Sequence, residues 1–305
     1  VLLLSLTGML KAQVTTAGMS GKVMADEESV IGATVVAVHE PSGTSYGTVT
    51  NVDGRFSLQG MRSGGPYKVT VSYIGYQTAI YTDIQLQLGE TYSLNVTLHE
   101  ASELLGEITI TASKSKFSAE KTGATTNISS EQLTTLPSIN RSISDFTRIS
   151  PYASGNSFGG RDGRSNTFTV DGANLNNNFG LSSGLPGGGN PISLDAIDEV
   201  QVVIAPYDVR QANFIGAGIN AITKSGTNAY RGSAYMYFNN EVMRGNKIGD
   251  TDFGVRAEES KTVYGATFGG PIIKDKLFFF ANVEYEKSPQ QVITWRAAKE
   301  GETPN

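Results

Sequence analysis

The chain of 305 residues carries 24 Lys+Arg against 29 Asp+Glu, a net charge of -5, so it lacks the broad cationic balance that nucleic-acid binding calls for. Zero cysteines exclude disulfides, thiolate catalysis and cysteine metal sites, and two histidines, His39 and His99, exclude a histidine-rich metal centre. The length allows about two or three domains with a sizeable core, and 35 glycines signal many turns.

Residues 1–13, "VLLLSLTGML" followed by Lys11-Ala12-Gln13, have the apolar run and small-residue boundary of a secretory signal. They are expected to be a signal peptide remnant on an exported chain. The alternative is a buried segment of the mature protein, since so short a run cannot cross a bilayer as a helix.

From 14 to 100 the runs "GATVVAVHE", "GTVTNVDGRFSLQG", "YKVTVSYIGYQTAIY" and "TYSLNVTL" are β-branched or aromatic, separated by Gly, Asp-Gly and Gly-Gly-Pro. That is the pattern of a β-sandwich. Through Gly32-Ala33-Thr34-Val35, Gly47-Thr48-Val49-Thr50, Asp53-Gly54-Arg55-Phe56 and Gly75-Tyr76 the segment resembles the carboxypeptidase-regulatory-like domain, a transthyretin-like sandwich. The resemblance implies an accessory module without catalysis. "GTSYG" at 43–47 fits G-x-S-x-G, and Ser45, Asp83 and His99 fall in the order of a hydrolase triad. A nucleophile elbow needs a helix after its turn, however, and "YGTVTNVDGRF" reads as strand, so an enzyme is not expected.

Residues 101–118 read as a linker. Within it Glu107-Ile108-Thr109-Ile110-Thr111-Ala112 alternates β-branched residues as a strand does, and the Lys/Ser stretch behind it offers no apolar surface to bury. The run is either an exposed strand able to add to a partner's sheet, or the last strand of the sandwich, pairing with an open edge.

The segment 119–226 predicts a short capped helix at "SSEQLTTLPS", a second at "RSISDFTRIS", and a long Gly/Asn/Ser region from which Thr167–Val170 and Val200–Ala205 emerge as strands. Long loops inside a compact domain are usually functional. The stretches "GGRDGRSN", "NTFTVDGANLNNN" and "LDAIDEVQVVIAPYDVRQANFIGAGINAITKSGTN" are similar to the plug domain of TonB-dependent outer-membrane receptors, most closely the Oar-like group.

That resemblance implies a plug strand at Ile197-Asp198-Glu199-Val200-Gln201-Val202 and a closing strand at Gly216-Ala217-Gly218-Ile219-Asn220-Ala221-Ile222-Thr223-Lys224, with Asp171-Gly172 in the preceding motif. Commoner plugs carry Arg-Gly-Pro after the first strand; Ala205-Pro206-Tyr207 stands here, which favours the Oar-like branch. "LPGGGN" lacks the Gly-Lys-Ser/Thr ending of a phosphate loop. Asp171, Asn174, Asn176 and Asn178 offer oxygens but lack calcium-loop spacing, so they read as turn residues, with no metal and no cofactor expected.

In "KLFFFANVEYEK", Leu277, Phe279, Ala281, Val283 and Tyr285 share one strand face, and Asn282, Glu284 and Glu286 the other, the alternation of a transmembrane β-strand. Tyr230–Asn239 and Val263–Ile272 read similarly. Such strands take about 9–11 residues, so 227–305 holds about three, the start of an incomplete outer-membrane barrel. The fold class expected is mainly β: a sandwich, an α+β plug domain and the first barrel strands.

Placed between sandwich and plug, Glu107–Ala112 resembles the TonB box. This implies TonB, the inner-membrane energy transducer, as partner, with Ile108 and Ile110 in apolar pockets and the backbone giving most of the affinity. The family resemblance implies an energised transporter in the outer membrane of a Gram-negative cell, its sandwich and TonB box on the periplasmic side. Its substrate is large, with peptide or protein as candidates. Asn174, Asn176, Asn177, Asn178 and Phe179 are candidate substrate contacts, because such loops offer hydrogen bonds and stacking. A surface adhesin or glycan-binding sandwich is the alternative.

Overall fold

The computed structural model describes residues 14–25, 28–100, 108–111, 124–136, 138, 141–176, 192–206, 211, 214–243, 245–252 and 259–289. The expected signal remnant, Glu107, Ala112, Asn177, Asn178 and Phe179 lie outside them. The chain divides into two compact units, Val1–Tyr230 with Gly269–Phe280, and Arg231–Phe268 with Ala281–Asn305.

The first unit opens with a sandwich of two sheets. One is centred on β1 (Ala17–Ala25), which pairs antiparallel with β2 (Glu28–Ser29) and also with a later strand. The other begins with β3 (Thr34–His39) and β4 (Thr44–Val49). β5 (Arg55–Met61) returns to β1, while β6 (Gly64–Ser72) and β7 (Ala79–Leu86) extend the β3–β4 sheet. β8 (Thr91–Ser93) and β9 (Val96–Leu98) then run parallel to β1.

Alternation fills the space between the sheets, as a pleated backbone requires. Val35 and Ala37 of β3 and Tyr67, Val69 and Val71 of β6 meet Met19, Val23, Phe56 and Met61 in one buried cluster. Ser45 lies in β4 and Asp83 in β7, at opposite ends of the β7-β6-β3-β4 run, where neighbouring strands stand about 4.8 Å apart. The triad-like order therefore has no triad geometry, as its sequence context implies.

Strand β10 (Ile108–Thr111) closes the second sheet, whose order is β10-β7-β6-β3-β4. It runs parallel to β7, with Ile108 opposite Ala79 and Thr111 opposite Thr82. Of the two readings of this run, the pairing with an open sandwich edge is the arrangement observed.

A five-stranded sheet follows in the order β11-β16-β17-β14-β15. It begins with β11 (Ala124–Ser129), which feeds helix α1 (Ser130–Thr135), where Gln132 Oε1 accepts the Ser129 N–H at 3.1 Å. Helix α2 (Ile143–Thr147) and the small hairpin β12 (Ala153–Ser154) and β13 (Ser157–Phe158) come next. The remaining strands are β14 (Thr167–Val170), β15 (Ala173–Asn174), β16 (Ile197–Ala205) and β17 (Gly218–Thr223).

One face of this sheet, with Ile128, Phe168, Val200, Val202 and Ala221, is covered by Leu133 of α1 and Ile143 and Phe146 of α2. Strand β16 begins at Ile197, ahead of the β-branched run that starts at Val200, because Ile197 is fully buried in the same cluster.

The second unit is built on a sheet in the order β18-β21-β22, with β18 (Arg231–Asn240), the short pair β19 (Lys247–Ile248) and β20 (Thr251–Asp252), β21 (Ser260–Ile273) and β22 (Leu277–Lys287). Tyr235 Oη donates to Glu284 Oε2 at 2.6 Å, Ser233 and Thr267 hydroxyls meet at 2.7 Å, and Lys261 pairs with Glu286 at 3.0 Å. The alternate positions Met236, Phe238, Tyr264, Phe268, Val283 and Tyr285 are exposed. A polar face and an exposed apolar face on long strands is the pattern of a lipid-facing wall.

Candidate functional site

The plug-like sheet has a second face, and it is polar. Asn127 of β11 stands opposite Gln201 of β16, Gln201 opposite Asn220 of β17, and Asn220 opposite Thr169 of β14. Side chains alternate across a strand, so this row must project away from the Val200–Ala221 core. Thr169 Oγ1 donates to Asn220 Oδ1 at 2.9 Å, which ties two members of the row together.

The row grips the sandwich by one peptide. After β7 the chain turns at Leu88-Gly89, with Gly89 at φ +70°. The Leu88 N–H donates to both oxygens of Glu199 at 3.1 Å. The Leu88 carbonyl accepts from Gln201 Nε2 at 2.5 Å and from Asn127 Nδ2 at 3.3 Å. Asn220 Nδ2 donates to the Val14 carbonyl, and Thr125 Oγ1 lies 3.4 Å from Glu90 Oε1. A separate tie joins the 40–43 turn of the sandwich to the segment before β18, through the Asn228 N–H and the Pro41 carbonyl at 2.8 Å.

Burial makes these contacts consequential: Leu88 is 0%, Gln201 1% and Glu199 7% exposed. Loss of water pushes the Glu199 carboxyl up to about 7, against the Leu88 N–H, which holds it down; the nearby Asp198 and Glu90 carboxylates push it further up. Asp198 is raised as well, by burial, with Arg62 and Lys224 opposing.

The other residues singled out in the sequence hold the fold together. Asp171 and Gly172, both at positive φ, make the two-residue turn between β14 and β15. The Asp171 carboxylate accepts from the Thr223 N–H at 2.9 Å and from its hydroxyl at 2.7 Å. Lys224 N–H donates to the Ala196 carbonyl at 2.7 Å. Gly216 is packed so closely on Asn166 and Ser165 that a Cβ would meet Asn166 Oδ1 at 2.4 Å, and a Cβ on Gly218 would meet the Phe214 ring at 2.7 Å. Ile197, Val200 and Ile222 are buried and Ile219 partly so.

Asn174 Oδ1 accepts from the Asn176 N–H at 2.8 Å, and Asn176 Oδ1 from the Phe168 N–H at 2.6 Å, so both shape the loop after β14. Leu88 and Asn127 carry no role in the sequence reading, and Gln201 enters it only as part of the expected strand at Ile197–Val202. The available signal is a polar Gln201 set between valines in "EVQVV".

Residues 18–99 match the carboxypeptidase regulatory-like domain, and residues 222–297 match the outer membrane beta barrel domain. The first match covers the two-sheet sandwich, and the second covers the segment that contains the long strands β18, β21 and β22. The chain is similar to the TonB-dependent transporter Oar of Myxococcus xanthus, 26% identical over 252 residues, which is 76% of this chain and 23% of that relative.

The chain thus spans less than a quarter of the length of that relative. Among solved structures, the siderophore receptor PirA from Acinetobacter baumannii superposes with a TM-score of 0.42 at 23% identity, over 54% of this chain and 24% of that one. The outer membrane transporter YddB from Escherichia coli gives 0.42 at 19% identity, over 54% and 26%.

Proposed function

We propose that the chain is the sandwich, plug and first barrel strands of a TonB-dependent outer-membrane transporter. The observation that carries this is the extent of likeness to Oar, a TonB-dependent transporter, over 76% of the chain. In this reading Glu107-Ile108-Thr109-Ile110-Thr111-Ala112 is the TonB box on the periplasmic side. Its strand β10 has β7 on one edge, and among the described residues it is the outermost strand of its sheet, where a partner's strand can add through backbone hydrogen bonds.

The substrate is large, with peptide or protein as candidate cargo, and the loop around Asn174, Asn176, Asn177, Asn178 and Phe179 is its proposed plug contact. Chemistry of bond-making is not part of this function. The test is a pull-down with the C-terminal domain of TonB: the wild-type chain is retained, and Ile110→Pro, which removes a backbone donor from β10, is lost. Equal retention of both overturns the TonB-box assignment.

A further inference from the structure

Two sheets of one unit meet across an interface whose hydrogen bonds come from amides and a carboxylate, and its composition bears on what it is for. Leu88 and Val14 are buried at the joint, and Val203 and Ile222 are buried on the sheet face that also carries Gln201; none of the four belongs to the sandwich core or the plug core. Around these four side chains, hydrogen bonds join Asn127, Glu199, Gln201 and Asn220 to two backbone segments of the sandwich.

That carriage is incomplete. Gln201 Oε1 and Asn127 Oδ1 are buried and have no hydrogen-bond partner among the described residues. A buried polar atom without a partner disfavours the closed state, because water would satisfy it on opening. The opposite face of the same sheet shows the contrast: Ile128, Val200, Val202 and Ala221 are closed under α1 and α2 with apolar contacts, which opening would expose to water. One face is held by apolar contacts throughout; the other combines a few apolar side chains with hydrogen bonds that leave two buried acceptors unmatched.

We infer that the Leu88 joint is a releasable coupling between sandwich and plug, with Asn127, Gln201 and Asn220 as the positioning residues that hold the sandwich on the plug sheet until it is drawn away as a folded body. The topology gives the drawing force a route. β10 pairs with β7, and β7 ends two residues before Leu88, so a pull on β10 passes along one strand to the peptide that β16 grips. This last step rests on the TonB-box reading; the joint itself does not.

Neighbouring amides supply the test. The Leu88 N–H is held by Glu199 of the plug, whereas the next one, of Gly89, is held by the Thr16 carbonyl within the sandwich at 3.1 Å. Residue-resolved hydrogen exchange on the membrane-embedded full chain reads them separately. A releasable joint exchanges Leu88 at least tenfold faster than Gly89 after correction for intrinsic rates, and Gln201→Leu accelerates Leu88 by a further tenfold while leaving Gly89 unchanged. Equal rates for the two amides in the wild type, or a parallel rise of both in Gln201→Leu, overturn the proposal, since the joint then opens only when the sandwich unfolds. The measurement needs no partner, so failure of the pull-down and failure of this inference are read independently.

Discussion

Gln201 and Leu88 stand 113 residues apart in the chain and 2.5 Å apart in space, side-chain amide to backbone carbonyl. Leu88 also gives its N–H to Glu199, so a single position after β7 is held at both ends by nearby positions of strand β16. This double hold makes the interface sensitive to small changes at few positions.

Gly89→Ala is the smallest such change. Its Cβ would meet Gln201 Nε2 at 2.7 Å and Val14 Cγ1 at 3.0 Å, and the residue sits at φ +70°, where an L side chain is strained. The expected cost is about 1–3 kcal/mol. It is checked as faster Leu88 amide exchange together with a lower chemical-denaturation midpoint, whereas Gly60→Ala, also at φ +69° but with open space around it, lacks the contact and should leave Leu88 exchange unchanged.

Acidity should act on the joint through Glu199. Its carboxyl is raised from 4.5 to about 7 by burial in the docked state, so docking is favoured with the proton on, and that contribution is lost as pH rises from 4.5 through about 7. Asp198 and Glu90 face it as further carboxylates, and Arg62 and Lys224 act on Asp198. The Leu88 opening constant, corrected for intrinsic exchange, should therefore increase over that window and then level off. Glu199→Gln keeps a carbonyl acceptor for the Leu88 N–H without an ionisation and should flatten the curve.

The sandwich carries a titration of the opposite sign. His39 is buried, its Nδ1 2.7 Å from Ser42 Oγ and its ring 5.0 Å from that of Tyr67. Burial, aided by Arg62, lowers it from 6.5 to about 4. The unfolded chain takes up a proton there first, so sandwich stability should fall as pH drops from 6.5 towards 4. Urea midpoints followed at the Val69 amide test this, and His39→Gln should remove much of the slope.

At the β14–β15 turn, Asp171→Ala removes both bonds to Thr223 and places alanine at φ 47°. Asp171→Gly removes the bonds but relieves the backbone. Alanine should cost about 1–2 kcal/mol more than glycine if strain dominates; equal losses, read at the Thr223 amide, would assign the effect to the carboxylate alone.

The sandwich and the strand at Thr167–Val170 were legible because local chemistry and final burial agree there: β-branched residues alternate, and Gly or Asp-Gly sits where the chain reverses. Strand β11, "ATTNIS", was not legible, since it is mostly polar and its partners lie seventy or more positions away on β16. Asn127 and Gln201 look like solvent-facing residues in sequence, and their hold on the Leu88 carbonyl is set by tertiary contact alone. The pairing of β10 with β7 is of the same kind: "EITITA" announces a strand, but which edge it meets depends on tertiary geometry that no local pattern encodes.

The two-sided plug sheet has a consequence for how such a chain tolerates exposure. When a sheet face sets Asn, Gln and Thr beside Val203 and Ile222, uncovering it leaves a surface that water wets in part, with its apolar ground confined to a few side chains. Such a sheet tolerates loss of its cover better than a face lined throughout with valine, which would turn wholly apolar to water at the first opening.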